Sequence, residues 1–371
     1  MHFAFTDEQD ELRTVLRSLL DRSGPPHPGS PDSPSAGYDP ELWRRLADDI
    51  GACGLAIPET YGGAGYTLVE TGVAVEELGR MLSSAPLFGS AVVAAEALLA
   101  SGDDAACKRA LPGISDGSTI ATLAWAEAAH RWSTTDCETT AVPDARRGWT
   151  LHGRKDFVLD AAHADLVLVV ARTDAGLTLF ELDPAVIPDT RLDATTLDAT
   201  RTLGGFDLRE APARLIGTTG GAQPVLERVR DVAAAVLAAE QFGAAQRWLG
   251  ETIEYTKVRT QFNRPIGSFQ ALKHRLADLY VAVESARSVS AAALWAVATH
   301  APEAPEWAAM AKSWCSDTYA DVAAEGIQLH GGIGVTWEHE AHLHLKRAHS
   351  SAALFGGPRD HRARLADLVA R

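Results

Sequence analysis

The sequence has few cysteines, and none of them is close to another. Cys53, Cys107, Cys137 and Cys315 are far apart in the 371-residue chain, and no C-x-x-C pair occurs. This spacing indicates neither a zinc site nor a disulfide framework. We therefore expect reduced thiols in a cytoplasmic protein.

The sequence also lacks an excess of positive charge and a long hydrophobic run. It has 34 Lys and Arg against 49 Asp and Glu, a net charge of −15. General nucleic-acid binding needs clustered cations to neutralise phosphates, so this composition argues against a nucleic-acid partner. Apolar runs such as 92–100 are much shorter than the roughly 20 residues of a transmembrane helix. Because the N-terminal residues do not resemble a signal peptide either, we expect neither membrane insertion nor export.

The periodicity of apolar residues divides the chain into helical, strand-rich and helical parts. Thr6 and Gln9 form a capping-box pattern before leucines at helical spacing. Short β-rich runs at 119–125, 148–151, 164–171 and 177–182 predict a small antiparallel sheet or barrel. Long Ala-rich segments at 226–255, 269–298 and 305–329 are typical of a helical bundle. These patterns predict an N-terminal α-helical domain (1–117), a middle β domain (118–219) and a C-terminal helical bundle domain (220–371). No G-x-G-x-x-G motif follows a strand, so a Rossmann domain is not supported.

The segment 259–270, RTQFNRPIGSFQ, connects two of the long helices. Arg259 and Arg264 flank a turn in which Asn263 and Gly267 tolerate left-handed or tight backbone. A guanidinium group is permanently charged and bidentate, which suits a pyrophosphate. The alternative is an ordinary helix–helix loop with surface arginines.

A second glycine-rich segment, QLHGGIGVT at 328–336, follows the next long helix. Its glycines end the helix and would let a ligand approach the backbone closely. The alternative is a simple glycine cap, which is the commoner role of a Gly-Gly pair.

Together these segments resemble the acyl-CoA dehydrogenase family, flavoenzymes that remove hydrogen from the α and β carbons of a CoA thioester. The resemblance extends to IPETYGGAG at 57–65, VEELG at 75–79 and LHGRK at 151–155, in the family's order and spacing. It implies a mainly α fold with an N-terminal helical domain, a central antiparallel β domain and a C-terminal four-helix bundle. It also implies an acyl-CoA substrate and an electron-transfer acceptor.

The resemblance assigns FAD contacts to individual residues. Arg259 corresponds to the arginine that reaches the FAD pyrophosphate of a neighbouring subunit, and Phe262 and Gln270 match the aromatic and amide residues that accompany it. Gln328 and Gly332 correspond to residues that contact the adenosine half. A site shared between chains implies a tetramer of this chain or an assembly with a related subunit.

The family's catalytic base has no counterpart at either of its usual positions. One position is Gly356 and the other, on the long helix after the β domain, is Ala233. Asp360 is a weak substitute, and its alternative role is a first-turn acid that interacts with the helix dipole after Pro358. Glu240 is interpreted as a structural partner of an arginine.

The residues that would hold this chain's own flavin also depart from the family pattern. The flavin-cradling loop is represented by 126–132, which has lost both glycines and the hydroxyl. In the next segment, Phe157 stands for a usual Trp and Leu159 for a usual Thr or Ser. Since the residues donated to a neighbour are kept, we hypothesise a subunit without the usual catalytic Glu that works with a catalytic paralogue.

Two alternative functions stay open from the sequence. One is a flavin-dependent monooxygenase on the same fold, a branch that also lacks the Glu. The other is a scaffold subunit without flavin. A metal site is not predicted, because His339, His342, His344 and His349 show no H-E-x-x-H order and a solvated charged segment explains them equally well.

Overall fold

The computed structural model describes residues 5–23, 37–129, 131–146 and 148–370. Most of the proline-rich segment that follows the first helix, 24–36, lies outside these residues. The N-terminal helices are α1 (Asp7–Ser23), α2 (Pro40–Asp48), α3 (Leu68–Arg80), α4 (Ala95–Ala100), which continues a π-helical segment (Phe88–Ala94), and α5 (Asp104–Ser115). The predicted capping box is confirmed, since Thr6 N donates to Gln9 Oε1 at 3.0 Å and Gln9 N donates to Thr6 Oγ1 at 3.3 Å.

The VEELG segment is part of α3 and has a structural role. Arg17 of α1 donates to both oxygens of the fully buried Glu77, at 2.6 and 3.0 Å. Arg13 pairs with the neighbouring Glu76. A Cβ atom at Gly79 would collide with the backbone of Glu240 on a C-terminal helix. The segment therefore docks α1 on one side and permits close helix packing on the other.

Seven strands follow and form one sheet with the order β1-β4-β2-β3-β7-β5, to which β6 adds by pairing with β7. Most pairs are antiparallel, as predicted, but β1 runs parallel to β4. Because β5 pairs with both β7 and β4, the sheet closes on itself. The strands are β1 (Ala121–Ala124), β2 (Thr140–Asp144), β3 (Gly148–Leu159), β4 (Leu166–Thr173), β5 (Gly176–Leu182), β6 (Arg191–Asp193) and β7 (Leu203–Ile216), with a short helix α6 (Ile187–Thr190) before β6.

Strand β4 shows how the sheet is held between two apolar cores. Leu166 and Leu168 belong to the large core shared with the helices. The alternate residues Val167 and Val169 belong to a separate core inside the sheet, with Phe180 and others. Period-two alternation thus buries both faces of the strand.

The C-terminal part consists of α7 (Ala222–Val258), α8 (Gln270–Ala298), α9 (Ala304–His330), α10 (Ala341–Ala353) and α11 (Pro358–Val369). Three of these helices match the long Ala-rich segments of the sequence. Helix α7 is surrounded by α3, α8 and α9, and small residues allow this close approach; Gly326 of α9, for example, packs directly against the ring of Trp248. The mainly helical fold class with a central β domain is confirmed.

Within the described residues, α8 is one helix that is long and apolar enough to cross a membrane by length and composition alone. Half of its most apolar stretch is buried inside the protein. A core helix of a bundle passes the same test, so the finding is weak evidence for a membrane span.

Candidate functional site

The segment between α7 and α8 forms a tight β-hairpin. Strand β8 (Thr260–Gln261) pairs with β9 (Arg264–Pro265), and the turn residues Phe262 and Asn263 have φ of 52° and 61°. A type I′ turn requires both values to be positive. Asn263 was predicted to tolerate this conformation, but Phe262 was not, because a bulky residue is strained there. The strained phenylalanine is 86% exposed at the tip of the hairpin.

The two arginines of the hairpin differ in their surroundings. The guanidinium of Arg264 lies 3.9 Å from the ring centre of Phe269, whose edge in turn contacts Phe262. Such cation–π contacts stiffen the loop. The side chain of Arg259 is exposed, while its backbone carbonyl accepts a hydrogen bond from Ile266 N at 2.8 Å. Arg259 is therefore presented on the surface by a rigid hairpin.

The end of α9 lies beside this hairpin. Tyr255, one turn before the hairpin, stacks on His330 with ring centres 4.2 Å apart and donates to the His330 carbonyl at 3.3 Å. Arg275 of α8 donates to Glu325 of α9 at 2.6 Å, which holds the start of α8 near the end of α9. The predicted FAD contacts are all exposed in this region: Arg259, Phe262, Gln270, Gln328 and Gly332.

The backbone after α9 is open to a ligand. Gly331 has φ of +64°, and a 3₁₀ turn over Gly331–Val335 follows. A Cβ atom at Gly331 or Gly332 would meet nothing within 4 Å. The predicted cap function of the glycines is correct, and the backbone beside Gln328 is accessible as well.

The two customary positions of the base lie in different surroundings. Ala233 is fully buried within α7. Gly356, between α10 and α11, has φ of +100°. The candidate Asp360 accepts a hydrogen bond from Gly357 N at 2.9 Å and caps α11, which is the helix-terminus role given above as its alternative. Neither usual position supplies a carboxylate.

An aromatic cluster fills the space next to Gly356. We call Phe88, Trp125, Trp132 and Phe355 the aromatic plug. Trp132 and Phe355 have ring centres 4.5 Å apart, and Trp132 Nε1 donates to the carbonyl of Ala353 at 3.2 Å. Trp125 and Phe88 each contact Phe355 as well. The plug therefore joins the N-terminal helices (Phe88), the β domain (Trp125 and Trp132) and the C-terminal helices (Phe355).

Two buried side chains, Lys312 and His361, contact the backbone of the loop that carries Phe355. Lys312 Nζ donates to the carbonyls of Ala352 and Gly356, at 3.0 and 3.2 Å. Burial lowers the pKa of Lys312 to about 7. Nε2 of His361 lies 3.0 Å from the carbonyl of Phe355, and burial lowers the pKa of that imidazole to about 3. The loop is therefore held in place through its backbone carbonyls, which Lys312 and His361 contact.

Buried contacts of Glu127 also hold the segment that leads to Trp132. The buried Glu127 pairs with the buried Lys155 at 2.6 Å and accepts from both the backbone and the hydroxyl of Thr139, at 2.9 and 2.6 Å. Burial disfavours the carboxylate, but Lys155 and these hydrogen bonds together hold the pKa of Glu127 below its usual value. Glu127, the acidic residue of the segment 126–132, therefore has a structural role.

A buried ion cluster lies between the plug and α7. Arg201 Nη2 donates to both oxygens of Glu240, at 2.5 and 2.7 Å, and Ser351 Oγ donates to the same carboxylate at 2.9 Å. This confirms that Glu240 is the partner of an arginine. Arg347 approaches it to 3.6 Å. The cavity that remains here is about 20 Å³, which is room for about one water molecule.

The two halves of the site differ in whether they fit FAD. The two segments that the family resemblance places beside a flavin ring, 126–132 and 354–358, are in direct contact through Trp132 and Phe355. The cleft of this chain therefore does not fit the ring. The exposed face formed by the hairpin and the end of α9 has groups of the kind that bind a pyrophosphate and an adenosine: an exposed guanidinium, an aromatic ring and accessible backbone. Sequence reasoning missed the plug, and of the ion cluster it predicted only that Glu240 pairs with an arginine.

Comparison with known proteins identifies the family. Residues 6–118 match the acyl-CoA dehydrogenase N-terminal domain and residues 221–367 match the C-terminal domain. The acyl-CoA dehydrogenase IpdE2 of Mycobacterium tuberculosis is 40% identical over 98% of this chain and 98% of its own length.

Two solved structures share the whole fold. The ChsE4-ChsE5 complex from Mycobacterium tuberculosis has a TM-score of 0.88 at 28% identity, over 100% of this chain and 99% of that chain. The Tcur3481-Tcur3483 steroid ACAD has a TM-score of 0.85 at 32% identity, over 98% of each chain. These findings confirm the resemblance seen in the motifs, and this chain belongs to the acyl-CoA dehydrogenase family, FAD-dependent enzymes that oxidise acyl-CoA thioesters.

Proposed function

We propose that this chain is the non-catalytic subunit of a heteromeric acyl-CoA dehydrogenase. In this function it completes the FAD site of a related, catalytic subunit and holds no flavin in its own cleft. The observation that carries the proposal is the direct contact of Trp132 with Phe355 and with the carbonyl of Ala353. That contact takes up the place between the two segments that would enclose a flavin ring.

The absence of a usable base supports the same conclusion. Removal of the α-proton of a thioester needs a carboxylate in a dry pocket. Gly356 and Ala233 have no carboxylate, Asp360 caps a helix, and Glu240 is neutralised by Arg201. The base is therefore assigned to the partner subunit.

The residues that this chain contributes are those on its exposed face. Arg259 would bind the FAD pyrophosphate, with Phe262 and Gln270 beside it, while Gln328 and the backbone at Gly332 would contact the adenosine half. FAD, when bound at the shared interface, supplies the hydride acceptor for the β-hydrogen. The hairpin fixes the backbone of Arg259 before the partner binds, which reduces the entropy lost on assembly.

The relatives are consistent with a partner of the same family. Two of the solved structures similar to this chain are named for two components each, ChsE4-ChsE5 and Tcur3481-Tcur3483. We place the assembly in the cytoplasm, with an acyl-CoA as substrate and an electron-transfer protein as acceptor. The four cysteines are free and buried, which agrees with a reducing compartment.

Co-expression tests the proposal. The chain purified alone should carry little FAD, whereas its complex with a base-bearing paralogue from the same organism should be yellow, with one FAD for each pair of chains. Arg259→Met in this chain should weaken FAD binding by the complex roughly 10- to 100-fold, because one charged hydrogen-bonding group to the pyrophosphate is lost. Flavin absorbance after gel filtration measures both quantities.

Arg44→Met is the matched control, since Arg44 is an exposed arginine of α2 that pairs only locally with Glu41 and Asp48. An active homotetramer of this chain with stoichiometric FAD would refute the proposal. A stable but colourless complex would favour the scaffold without flavin.

A further inference from the structure

We propose that Glu251, Glu340 and His344 form a binding site for a divalent transition-metal cation such as Zn²⁺. Glu251 lies on α7, Glu340 precedes α10, and His344 is one turn into α10. One ligand atom from each of the three residues lies within 4.8 Å of the others. Sequence reasoning did not predict this group, because Glu251 is distant in sequence and the histidine pattern alone is not that of a metal motif.

The imidazole of His344 is the feature that points to a ligand. The residue is completely buried, and its Nδ1 lies 3.0 Å from the hydroxyl of Tyr319. Its Nε2 is buried and has no hydrogen-bond partner among the described residues. A buried imidazole nitrogen without a partner costs free energy unless something binds it. A metal ion would satisfy it.

The surroundings of His344 prepare the imidazole for metal binding. If Nδ1 carries the proton and donates to Tyr319, the lone pair of Nε2 is free to bind a cation, an arrangement that also orients the ring. The ring stacks on Trp248 at a centre-to-centre distance of 4.6 Å and an angle of 16°.

Arg247 holds the two carboxylates together in the absence of a metal. Its Nε donates to Glu251 Oε1 at 2.6 Å and its Nη2 lies 3.4 Å from Glu340 Oε2. The guanidinium also donates to the carbonyl of Arg80 at 3.0 Å, so it has an anchor outside the cluster. Arg247 thus brings the two carboxylates together on the side of His344, where a cation could bind between them.

The chemistry of the ligands selects the class of metal. One imidazole nitrogen and two carboxylate oxygens suit Zn²⁺, Mn²⁺ or Fe²⁺. Ligand distances of about 2.0–2.2 Å require the three atoms to move closer together than 4.8 Å. Glu251 and Glu340 are only partly buried, and metal binding would require their side chains to shift from Arg247 toward the buried His344. The ion would tie α7 to α10 beneath the glycine turn that follows α9.

Metal titration of the full chain tests the proposal. After chelator treatment and desalting, Co²⁺ is added and visible d–d absorption is recorded, and Zn²⁺ is then used as competitor. We expect one Co²⁺ per chain with intense bands that Zn²⁺ abolishes. His344→Gln and Glu251→Gln should each weaken Co²⁺ binding at least about 100-fold, and Tyr319→Phe about 10- to 100-fold because it removes the hydrogen bond to a ligand.

His349→Gln is the matched control, since His349 is an exposed histidine on the same helix. It should bind Co²⁺ like the unmodified chain. If His344→Gln does not fold, Glu251→Gln at its partly exposed position decides the question. Unchanged Co²⁺ affinity in Glu251→Gln, or no Co²⁺ bands with the unmodified chain, would overturn the proposal. Neither readout depends on flavin or on a partner subunit.

Discussion

Replacing Glu240 by glutamine would remove the negative charge at the centre of a buried ion cluster. The side chains of Arg201, Glu240 and Arg347 are 6%, 6% and 3% exposed. Burial disfavours the carboxylate, but the two guanidinium groups hold the pKa of Glu240 below its usual value. The glutamine would keep the shape of the side chain and leave both cations without this counter-charge.

The expected cost follows from that burial. Removing one partner of a buried ion pair destabilises a protein by roughly 3–5 kcal/mol, because an uncompensated charge stays in the interior. Asp198 lies 3.9 Å from Arg347 and provides only a distant alternative partner. A loss of this size is a large part of the about 5–15 kcal/mol that stabilises a typical domain. Since Arg201 precedes β7 and Glu240 lies on α7, the contact between the sheet and the helices would weaken first.

Urea unfolding of the full chain, followed by tryptophan fluorescence, measures this cost. Glu254→Gln is the matched control on the same helix, because Glu254 pairs with Lys257 at the surface, where both side chains are more than half exposed. It should change stability little. The double variant Arg201→Met, Glu240→Leu should recover part of the loss, since it also removes the charge of Arg201, while Arg347 keeps Asp198 as its distant partner. If Glu240→Gln costs no more than the control, the reasoning is wrong.

Two further predictions concern a buried base and the exposed turn. His361 has a pKa of about 3 when folded and an ordinary value near 6.5 when unfolded. The unfolded chain therefore binds more protons between those values, and stability falls by about 3 kcal/mol as the pH drops from 6.5 to 4. Urea titrations at several pH values should show a shallower dependence for His361→Gln, and an unchanged slope would contradict the assignment. Phe262→Gly should stabilise the isolated chain by about 1 kcal/mol, because it relieves a left-handed φ at an exposed residue. The same variant should reduce FAD retention by the complex, and loss of stability instead would show that the ring is structural.

The long helices could be predicted because their sequences are continuous and have strong local signals. Alanine-rich segments with few glycine or proline breakers predict α7 to α9 within a few residues. The strands were harder to predict from the sequence. Strand β7 (Leu203–Ile216) was missed, since it contains Glu210 at φ of 52° and charged residues interrupt its alternation. Strand β3 continues to Leu159, eight residues beyond the predicted end, because pairing with β7 maintains it through irregular positions.

Those features of the candidate site that depend on the identity of a single residue could be predicted from the sequence. The absence of a carboxylate at Gly356 and Ala233 follows from residue identity alone. The plug depends instead on Trp132 meeting the segment around Phe355, more than 200 residues later, and no local pattern specifies that contact. The partner of Glu240 likewise comes from a different domain.

The contacts around Gly356 affect how this chain could change in evolution. Gly356→Glu alone would place a Cβ atom 3.2 Å from His361 Nε2, on a backbone with φ of +100° that side chains rarely adopt. Two large rings would also have to leave before a flavin could enter. Under the proposed function, a self-sufficient enzyme would therefore require several substitutions in this sequence made together.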